Sequence, residues 1–257
     1  MNQDIIRKIT DQDYEAIAGR ICRNLQVWLK SSKASGFVLG LSGGIDSAVV
    51  ASLCSRVSKD TLALVMPDSE ITPDGETDDA LELARSLGIK YHTIDIRNII
   101  AGYADLLRPH PMAEGNLRAR IRTSILYYYA NMDNLLVTGS SDRSEYQIGY
   151  FTKYGDGAAD IFPMISLYKL QVRGLAAHLG VPYHIVSKKS SPHLWKGHTA
   201  EGEIGASYEE TDTVLHLYLD RMMQPEAIQS VTGISTGVIN RIISLNEGSR
   251  HKREPTV

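Results

Sequence analysis

The chain has 257 residues and a mass of 28.4 kDa, which is enough for one domain with a substantial core. Its 27 Lys and Arg residues against 30 Asp and Glu residues give a formal charge of -3, so the composition does not favour a protein that binds nucleic acid. No apolar run reaches the ~18 residues that a membrane span requires, and the two cysteines are too few for a disulfide framework or a zinc site. We therefore expect a cytoplasmic protein.

The first predicted element is an amphipathic helix, because apolar residues recur at helical spacing over 14–29. Short apolar runs then alternate with helical patterns. The runs predict strands over 37–41, 62–66, 91–95, 134–139 and 183–187, and the patterns predict helices over 46–58, 77–87, 116–132 and 168–179. Such alternation is typical of an α/β fold with a parallel sheet and helices on both faces. A functional site is expected where the strands end.

The strongest motif is GLSGGIDSAVV at 40–50, between the first predicted strand and a helix. Gly43 and Gly44 let backbone amides approach a ligand closely, and Ser42 and Ser47 add hydroxyl donors. Because a helix N-terminus carries a partial positive charge, the segment predicts a binding site for phosphate groups.

An acidic residue, Asp46, stands inside this motif. A carboxylate repels phosphate unless a divalent cation lies between them, so Asp46 is a candidate Mg²⁺ ligand. The motif has neither the Gly-Lys pair of a Walker loop nor the GxGxxG spacing of a dinucleotide fold. It resembles the SGGxDS loop of the N-type ATP pyrophosphatases, which cleave ATP between the α and β phosphates. The simpler alternative is a serine-capped helix after a glycine turn.

Within that group, nearly the whole chain is similar to the ammonia-dependent NAD synthetases. The matching segments are 66–89, 116–131, 138–173, 188–195 and 251–253. The resemblance implies a Rossmann-like sheet of the adenine nucleotide alpha hydrolase type, and one domain over 1–257 without a glutaminase domain. It also implies that ATP adenylates the nicotinate carboxylate of deamido-NAD with loss of pyrophosphate, and that ammonia then displaces AMP.

The same resemblance implies roles for individual residues. ATP binding is implied for Gly40, Leu41, Ser42, Gly43, Gly44, Ile45, Asp46, Ser47, Ser140, Lys169 and Ser191. Binding of deamido-NAD is implied for Arg120, Lys153, Asp160, His251 and Lys252. Magnesium is implied on Asp46 and Glu145, and catalytic roles are implied for Asp46, Lys169 and Asp156, the last near the ammonium or the reacting carboxylate.

Without the resemblance, the local sequence favours simpler roles for some of these residues. Arg120 and Arg122 lie on opposite flanks of a helical stripe, where arginines are commonly solvated. Lys169 and Arg173 are like charges in the first turns of a helix, so an anionic group is expected to compensate them. The basic run at 250–253 is typical of a solvated tail, whereas the resemblance implies that it folds back onto the substrate.

Three positions depart from the pattern of the family. Ser140 stands in place of a threonine, Ala200 in place of the first acid of a pair that leaves only Glu201, and His193 in place of Asp or Gly. Two other functions remain open: another N-type ligase, such as a tRNA-thiolating one, and a non-catalytic sensor of adenine nucleotides. A homodimer is implied by the family alone, with the opening helix either at its interface or in the core.

Overall fold

The computed structural model describes residues 3–104, 106–191 and 199–254. In this part of the chain one four-stranded sheet is present, and all of its neighbouring strands are parallel. The strands are β1 (Gly36–Gly40), β2 (Thr61–Val65), β3 (Lys90–Thr93) and β4 (Leu135–Val137), in the spatial order β3-β2-β1-β4. The prediction of a parallel α/β sheet is confirmed.

Helices make up most of the remaining described residues. In chain order they are α1 (Gln3–Thr10), α2 (Tyr14–Ser32), α3 (Ile45–Val57), α4 (Asp74–Ser86), α5 (Arg97–Ala104), α6 (Pro111–Asp133), α7 (Arg143–Ile148), α8 (Lys169–Leu179), α9 (Tyr183–Val186), α10 (Ala200–Ile204), α11 (Tyr208–Leu215), α12 (Pro225–Thr232), α13 (Thr236–Gly248) and α14 (Arg250–Arg253). A π-helical segment, His216–Asp220, continues α11. The predicted helices correspond to α2, α3, α4, α6 and α8. None of the described helices has the length and apolar character needed to cross a membrane.

The sheet carries an apolar layer on each face. Phe37 and Leu39 of β1 belong to a core that includes α2, α3 and α8, while Val38 between them belongs to a core with α6. This alternation follows from the two-residue repeat of a strand. A third core joins α1 to α11, α12 and α13, and Tyr208 at its edge is fully buried. The C-terminal helices therefore form a separate layer beside the sheet.

The prediction of a strand over 183–187 is wrong, since this segment is the short helix α9. Pro182 directly precedes its first turn with a φ of -54°, and proline is well suited to a helix start because its φ is already near the helical value. Tyr183 is 83% exposed and Ile185 is the residue of this helix that enters the core. A strand covered on both faces would bury more of its side chains than this segment does.

The loop after β4 leads directly into a capped helix. Thr138, beyond the end of β4, forms a parallel bridge with Ile161. Asp142 then caps α7, and its Oδ1 accepts a hydrogen bond from the Glu145 amide at 2.8 Å. This cap fixes the first turn of α7, and with it Glu145, beside the carboxyl end of the sheet.

Candidate active site

A cavity of about 680 Å³ opens at the carboxyl ends of β1, β2 and β4. We call residues 42–47 the phosphate loop, and it forms one wall of this cavity. The loop follows β1 and becomes the first turn of α3, so the N-terminus of α3 lies at the wall of the cavity. The predicted residues that line the cavity here are Gly40, Leu41, Ser42, Gly44, Ile45, Asp46 and Ser47.

The phosphate loop is held by its own serines. The Ser47 hydroxyl donates to the Gly44 carbonyl at 3.0 Å and accepts from the Ser42 amide at 3.1 Å. Gly43 has a φ of +81°, and a Cβ at this position would lie 2.2 Å from the Glu76 carbonyl oxygen in α4. Gly43 is therefore required for backbone conformation and for packing against α4.

Three carboxylates surround the ammonium of Lys169. Its Nζ lies 2.7 Å from Asp46 Oδ1, 2.9 Å from Asp142 Oδ2 and 2.8 Å from Glu145 Oε1. We call these four residues the carboxylate cluster. The Lys169 side chain is 0% exposed, whereas those of Asp46 and Glu145 are 21% and 17% exposed and both line the cavity. The lysine therefore lies behind the two acids and points at them.

Lys169, which the resemblance assigns to ATP, does not line the large cavity itself. Its ammonium faces carboxylates instead of the open cavity where phosphate would bind. The expected anionic compensation in the first turn of α8 is present, and it comes from the protein itself. Arg173, one turn later, is paired with Glu209 of α11 at 2.9 Å.

The carboxylate cluster holds more negative than positive charge when its acids are ionised. Burial raises the pKa of both Asp142 and Glu145, and the neighbouring acids add to this effect while Lys169 opposes it. Burial alone would disfavour the charged lysine, but Asp142, Asp46 and Glu145 hold the pKa of Lys169 well above its ordinary value. Without a further cation, the cluster therefore favours a charged lysine and the protonated forms of Asp142 and Glu145.

Helix α11 supports the carboxylate cluster from behind. The Tyr208 hydroxyl donates to Glu145 Oε1 at 3.3 Å. Asp212 accepts from the Ser144 hydroxyl and, at 2.8 Å, from the Leu170 amide. Because Ser144 precedes Glu145 and Leu170 follows Lys169, one buried carboxylate fixes both segments that supply the cluster. Burial raises the pKa of Asp212 to about 7.

Several other predicted residues lie on the cavity wall. They are Ser140, Asp156, Ser191, His251 and Lys252. The Lys252 ammonium donates to the carbonyls of Gly149 and Phe151 at 2.7 and 2.8 Å, so α14 packs against the glycine-rich segment 149–157. Asp156 Oδ1 accepts from the Thr152 amide at 2.9 Å, and the surrounding protein, which displaces water, raises the pKa of its carboxyl group.

The remaining substrate-binding candidates lie outside the large cavity. The Arg120 guanidinium donates to the Lys153 carbonyl at 3.2 Å, and both residues flank the loop before Asp160. Asp160 accepts from the Val137 amide at 2.8 Å and lines a second cavity of about 390 Å³ together with Trp28 and Lys252. Lys252 lines both cavities, so the candidates form two groups that meet at α14. The departure at His193 lies outside the described residues.

Three polar residues around the cavity were not predicted from the sequence. Asp142 belongs to the carboxylate cluster. Arg122 lines the cavity, and its Nε donates to the Met66 carbonyl at 2.9 Å. Lys188 is paired with Glu76 at 2.9 Å and with Asp79, and it donates to the Gly43 carbonyl at 3.3 Å. Helical spacing could have identified Arg122, because Ala119 and Leu126 on the same flank of α6 also line the cavity.

Comparisons with known proteins give a consistent result. A family model for NAD synthase matches residues 17–256. The NH3-dependent NAD+ synthetase of Hyperthermus butylicus is 46% identical over 252 residues, which cover 96% of this chain and 91% of that one. The NH3-dependent NAD+ synthetase of Archaeoglobus fulgidus is 42% identical and covers 94% of this chain and 95% of that one.

Solved structures resemble the fold along almost the whole chain. The NMN synthetase of Francisella tularensis superposes with a TM-score of 0.85 at 36% identity, covering 96% of this chain and 98% of that one. The NH3-dependent NAD synthetase of Campylobacter jejuni superposes with a TM-score of 0.81 at 31% identity, covering 96% and 99%.

Proposed function

The chain belongs to the NAD synthase family, and from this premise we propose how its cavity forms NAD+ from deamido-NAD, ammonia and ATP. The reaction is the amidation of a nicotinate carboxylate, and the family uses ATP to activate it. The observation that carries the proposal is the convergence of the phosphate loop with the acids Asp46 and Glu145 on one wall of the large cavity.

The carboxylate cluster fits a magnesium ion. Asp46, Asp142 and Glu145 surround a single lysine. With all three acids ionised, two negative charges are not balanced by the lysine, and a divalent cation would neutralise them. Asp46 and Glu145 expose oxygens to the cavity beside the phosphate loop, and Mg²⁺ is commonly held by one or two carboxylates together with substrate phosphates. We assign Asp46 and Glu145 as its ligands. Bound there, Mg²⁺ would neutralise charge on the departing pyrophosphate.

The phosphate loop binds the β and γ phosphates of ATP in this proposal. Its amides and the N-terminus of α3 supply positive potential, and Ser42 and Ser47 supply hydroxyls. Ser140, where β4 ends, and Ser191 line the same cavity and are assigned to ATP. Lys169 orients Asp46 and Glu145 and limits their mutual repulsion, which is a different role from direct contact with phosphate.

The chemistry has two steps. The nicotinate carboxylate of deamido-NAD attacks the α-phosphorus of ATP, the bond to the bridging oxygen breaks, and pyrophosphate leaves. Ammonia then attacks the acyl carbon of the adenylate, AMP leaves with the carbon–oxygen bond electrons, and one proton is released. Asp156 exposes its carboxyl group to the cavity, and its raised pKa suits a group that holds ammonium and takes up its proton.

Deamido-NAD is assigned to the region where the two cavities meet. Arg120, Lys153, Asp160, His251 and Lys252 surround this region. Basic residues there would bind the pyrophosphate and ribose oxygens of the dinucleotide, and Trp28, Tyr146 and Phe151 of the second cavity offer aromatic faces to a base.

We also propose a cytoplasmic homodimer. Exposed apolar side chains lie on α2 and α6, where Val27 is 65%, Trp28 52%, Tyr128 66% and Met132 57% exposed, and such residues are typical of a surface that a second copy covers. Both cysteines are free thiols, as in proteins of reducing compartments. Light scattering of the purified protein checks the dimer, and a monomer at all concentrations would refute it.

One assay tests the function. The purified protein is incubated with ATP, Mg²⁺, deamido-NAD and ammonium, and we expect NAD+, AMP and pyrophosphate in equal amounts. ADP with phosphate, or no product, would contradict the proposal.

A second candidate product is nicotinamide mononucleotide, because the structure of an NMN synthetase superposes with a TM-score of 0.85. Nicotinate mononucleotide and deamido-NAD therefore compete in the same assay, and the ratio of their kcat/KM values identifies the substrate.

The metal assignment has its own test. We expect Asp46→Asn and Glu145→Gln each to abolish turnover, because the metal loses a charged ligand, while circular dichroism shows a folded protein. Calorimetric titration with Mn²⁺ in the presence of a non-hydrolysable ATP analogue should show the same loss of metal binding. Glu82→Gln, an exposed acid on α4, serves as the control with unchanged activity. Near-normal rates in either cluster variant would remove the assignment.

A further inference from the structure

Three arginines of α6 have different surroundings. Arg118 is buried and ion-paired, with its Nε 2.7 Å from Asp68 Oδ2. Arg120 is exposed and donates to the Lys153 carbonyl. Arg122 is half-buried, lines the large cavity, and donates through Nε to the Met66 carbonyl at 2.9 Å. Of the three, Arg122 is therefore the one that lines the large cavity.

The hydrogen bond of the Arg122 guanidinium uses Nε and leaves its two Nη groups for other acceptors. Among the residues that the structure describes, neither a carboxylate nor a carbonyl accepts a hydrogen bond from them. The acid that could have served, Asp68, is already bound by Arg118. Since Nε is held by Met66, the Nη edge is the part of the guanidinium that remains for the contents of the cavity.

Arg122 remains a cation in this setting. Burial lowers the pKa of its guanidinium to about 10, while Asp68 and Asp156 raise it and Arg118 lowers it further. The group is thus charged at neutral pH, in surroundings that disfavour an unpaired charge. A charge held in this way without a protein partner is expected to find its partner in a ligand.

The place of Arg122 relative to the sheet shows which part of a ligand it would meet. Met66 follows β2, and β2 pairs with β1, where the Leu41 amide donates to the Leu64 carbonyl at 2.9 Å. The phosphate loop begins directly after this point, and adjacent strands lie only about 4.8 Å apart. Arg122 thus lies at the carboxyl end of β2, the strand next to the one that leads into the phosphate loop.

We infer that Arg122 binds an anionic oxygen of the reacting groups, either a phosphoryl oxygen of ATP or the carboxylate that attacks it. Its planar fork can donate two parallel hydrogen bonds to such an oxyanion. Asp46 and Glu145, which line the same cavity, would hold the metal, so the reacting groups would meet positive charge from both the metal and Arg122. Arg122 would also stabilise the charge that builds during adenylation.

This inference rests on the proposed function for the identity of the ligands, but one of its tests does not require turnover. Isothermal titration with an ATP analogue that is not cleaved between the α and β phosphates measures ATP binding in Arg122→Gln and Arg122→Lys. Steady-state assays then give kcat and the KM for deamido-NAD. Loss of all turnover in the wild-type protein would refute the proposed function, and titrations with the ATP analogue and with deamido-NAD would still decide the inference.

We expect a loss of about tenfold to a hundredfold in Arg122→Gln, the size typical of a charged hydrogen bond. A raised Kd for the ATP analogue identifies phosphate as the partner. A raised KM for deamido-NAD with unchanged analogue binding identifies the carboxylate, and a lower kcat alone identifies the transition state. Arg122→Lys keeps the charge but not the fork, so it should recover only part of the loss.

Two further variants separate binding from folding. Arg118→Gln, one turn earlier on α6, removes half of a buried ion pair and should lower Tm. Arg122→Gln removes a charge without an ion-pair partner and should leave Tm close to the wild-type value. Arg85→Gln, which removes an exposed guanidinium on α4, should change neither activity nor Tm. Unchanged Kd, KM and kcat in both Arg122 variants, or a fall in Tm that accounts for the lost activity, would overturn the inference.

Discussion

The phosphate loop and the carboxylate cluster share Asp46, but they are built in different ways. The loop consists of consecutive residues, and its shape depends on short-range features such as the positive φ of Gly43 and the hydrogen bonds of Ser47. The cluster takes its members from α3, α7 and α8, and α11 supports it through Tyr208 and Asp212. Its shape therefore depends on contacts between segments that are far apart in the sequence.

This difference affects what each region can tolerate. The phosphate loop presents backbone amides, so side-chain substitutions matter where they disturb the backbone. The cluster presents buried charges, so a substitution there changes an electrostatic balance in surroundings with little water. Substitutions in the cluster should therefore have the larger effect on folding, and those in the loop should have a smaller and more local one.

The largest effect is expected for Lys169→Met. The variant keeps the length of the side chain but leaves Asp46, Asp142 and Glu145 without their cation. Removing one partner of a buried ion pair typically destabilises a protein by about 3–5 kcal/mol. Denaturant unfolding at neutral pH measures the change in the free energy of unfolding.

A lysine on the surface is the matched control for this variant. Lys90 forms an ion pair with Asp60 at 3.2 Å, with side chains that are 72% and 58% exposed, and Lys90→Met should change stability by less than about 1 kcal/mol. Combining Lys169→Met with Asp142→Asn should recover part of the loss, since one of the unpaired acids is removed. Equal effects of Lys169→Met and Lys90→Met would show that the cluster has no special electrostatic role.

These two regions also explain how much the sequence could predict. The parallel sheet, the turn between β1 and α3 and the five predicted helices follow from local patterns, and they are confirmed where the structure describes them. The direction of Lys169 and the membership of Asp142 could not be predicted, because both depend on how α7 and α8 pack on α11. The wrong strand at 183–187 has a similar cause, since a short apolar run does not show whether neighbours cover it on both faces.

A smaller effect, confined to the loop, is expected for Gly43→Ala. The new Cβ would lie 2.2 Å from the Glu76 carbonyl oxygen, at a residue with a φ of +81°. The positive φ alone costs about 1–2 kcal/mol, and the overlap must push α4 away from the loop. We expect a lower Tm and weaker binding of an ATP analogue by calorimetry.

Two other glycines separate the contributions at Gly43. Gly180 has a φ of +78° but open space around its Cβ position, so Gly180→Ala should show the cost of conformation alone. Gly75 in α4 has open space and no positive φ, so Gly75→Ala should be neutral or stabilising by up to about 1 kcal/mol. If Gly43→Ala destabilises no more than Gly180→Ala, the contact with α4 does not constrain the loop.

The smallest effect, as measured in acid, is expected for Asp212→Asn in the support of the cluster. The side-chain nitrogen of Asn cannot accept a hydrogen bond from the backbone N–H of Leu170, as Asp212 Oδ2 does. The variant should therefore lose about 1–2 kcal/mol of stability in acid, where the wild-type carboxyl is neutral. Because burial raises the folded pKa of Asp212 to about 7, from an unfolded value near 3.9, the native state holds the proton more tightly. Wild-type stability from this group is therefore present at low pH and is lost as the pH rises towards 7.

The variant does not titrate at this position, so the stability of the wild-type protein relative to the variant should fall between pH 5 and pH 7 by up to about 1.4 kcal/mol per unit, and the variant should be the more stable protein near pH 7. Urea unfolding at pH 5, 6, 7 and 8 measures this difference in stability. The other buried acids, Asp142 and Glu145, titrate in both proteins and largely cancel in the difference. A difference that stays constant with pH would mean that Asp212 is already ionised in the folded protein at pH 5. In that case α11 would add a permanent negative charge beside Lys169, and the electrostatic contrast between the cluster and the phosphate loop would be larger than it is with a neutral Asp212.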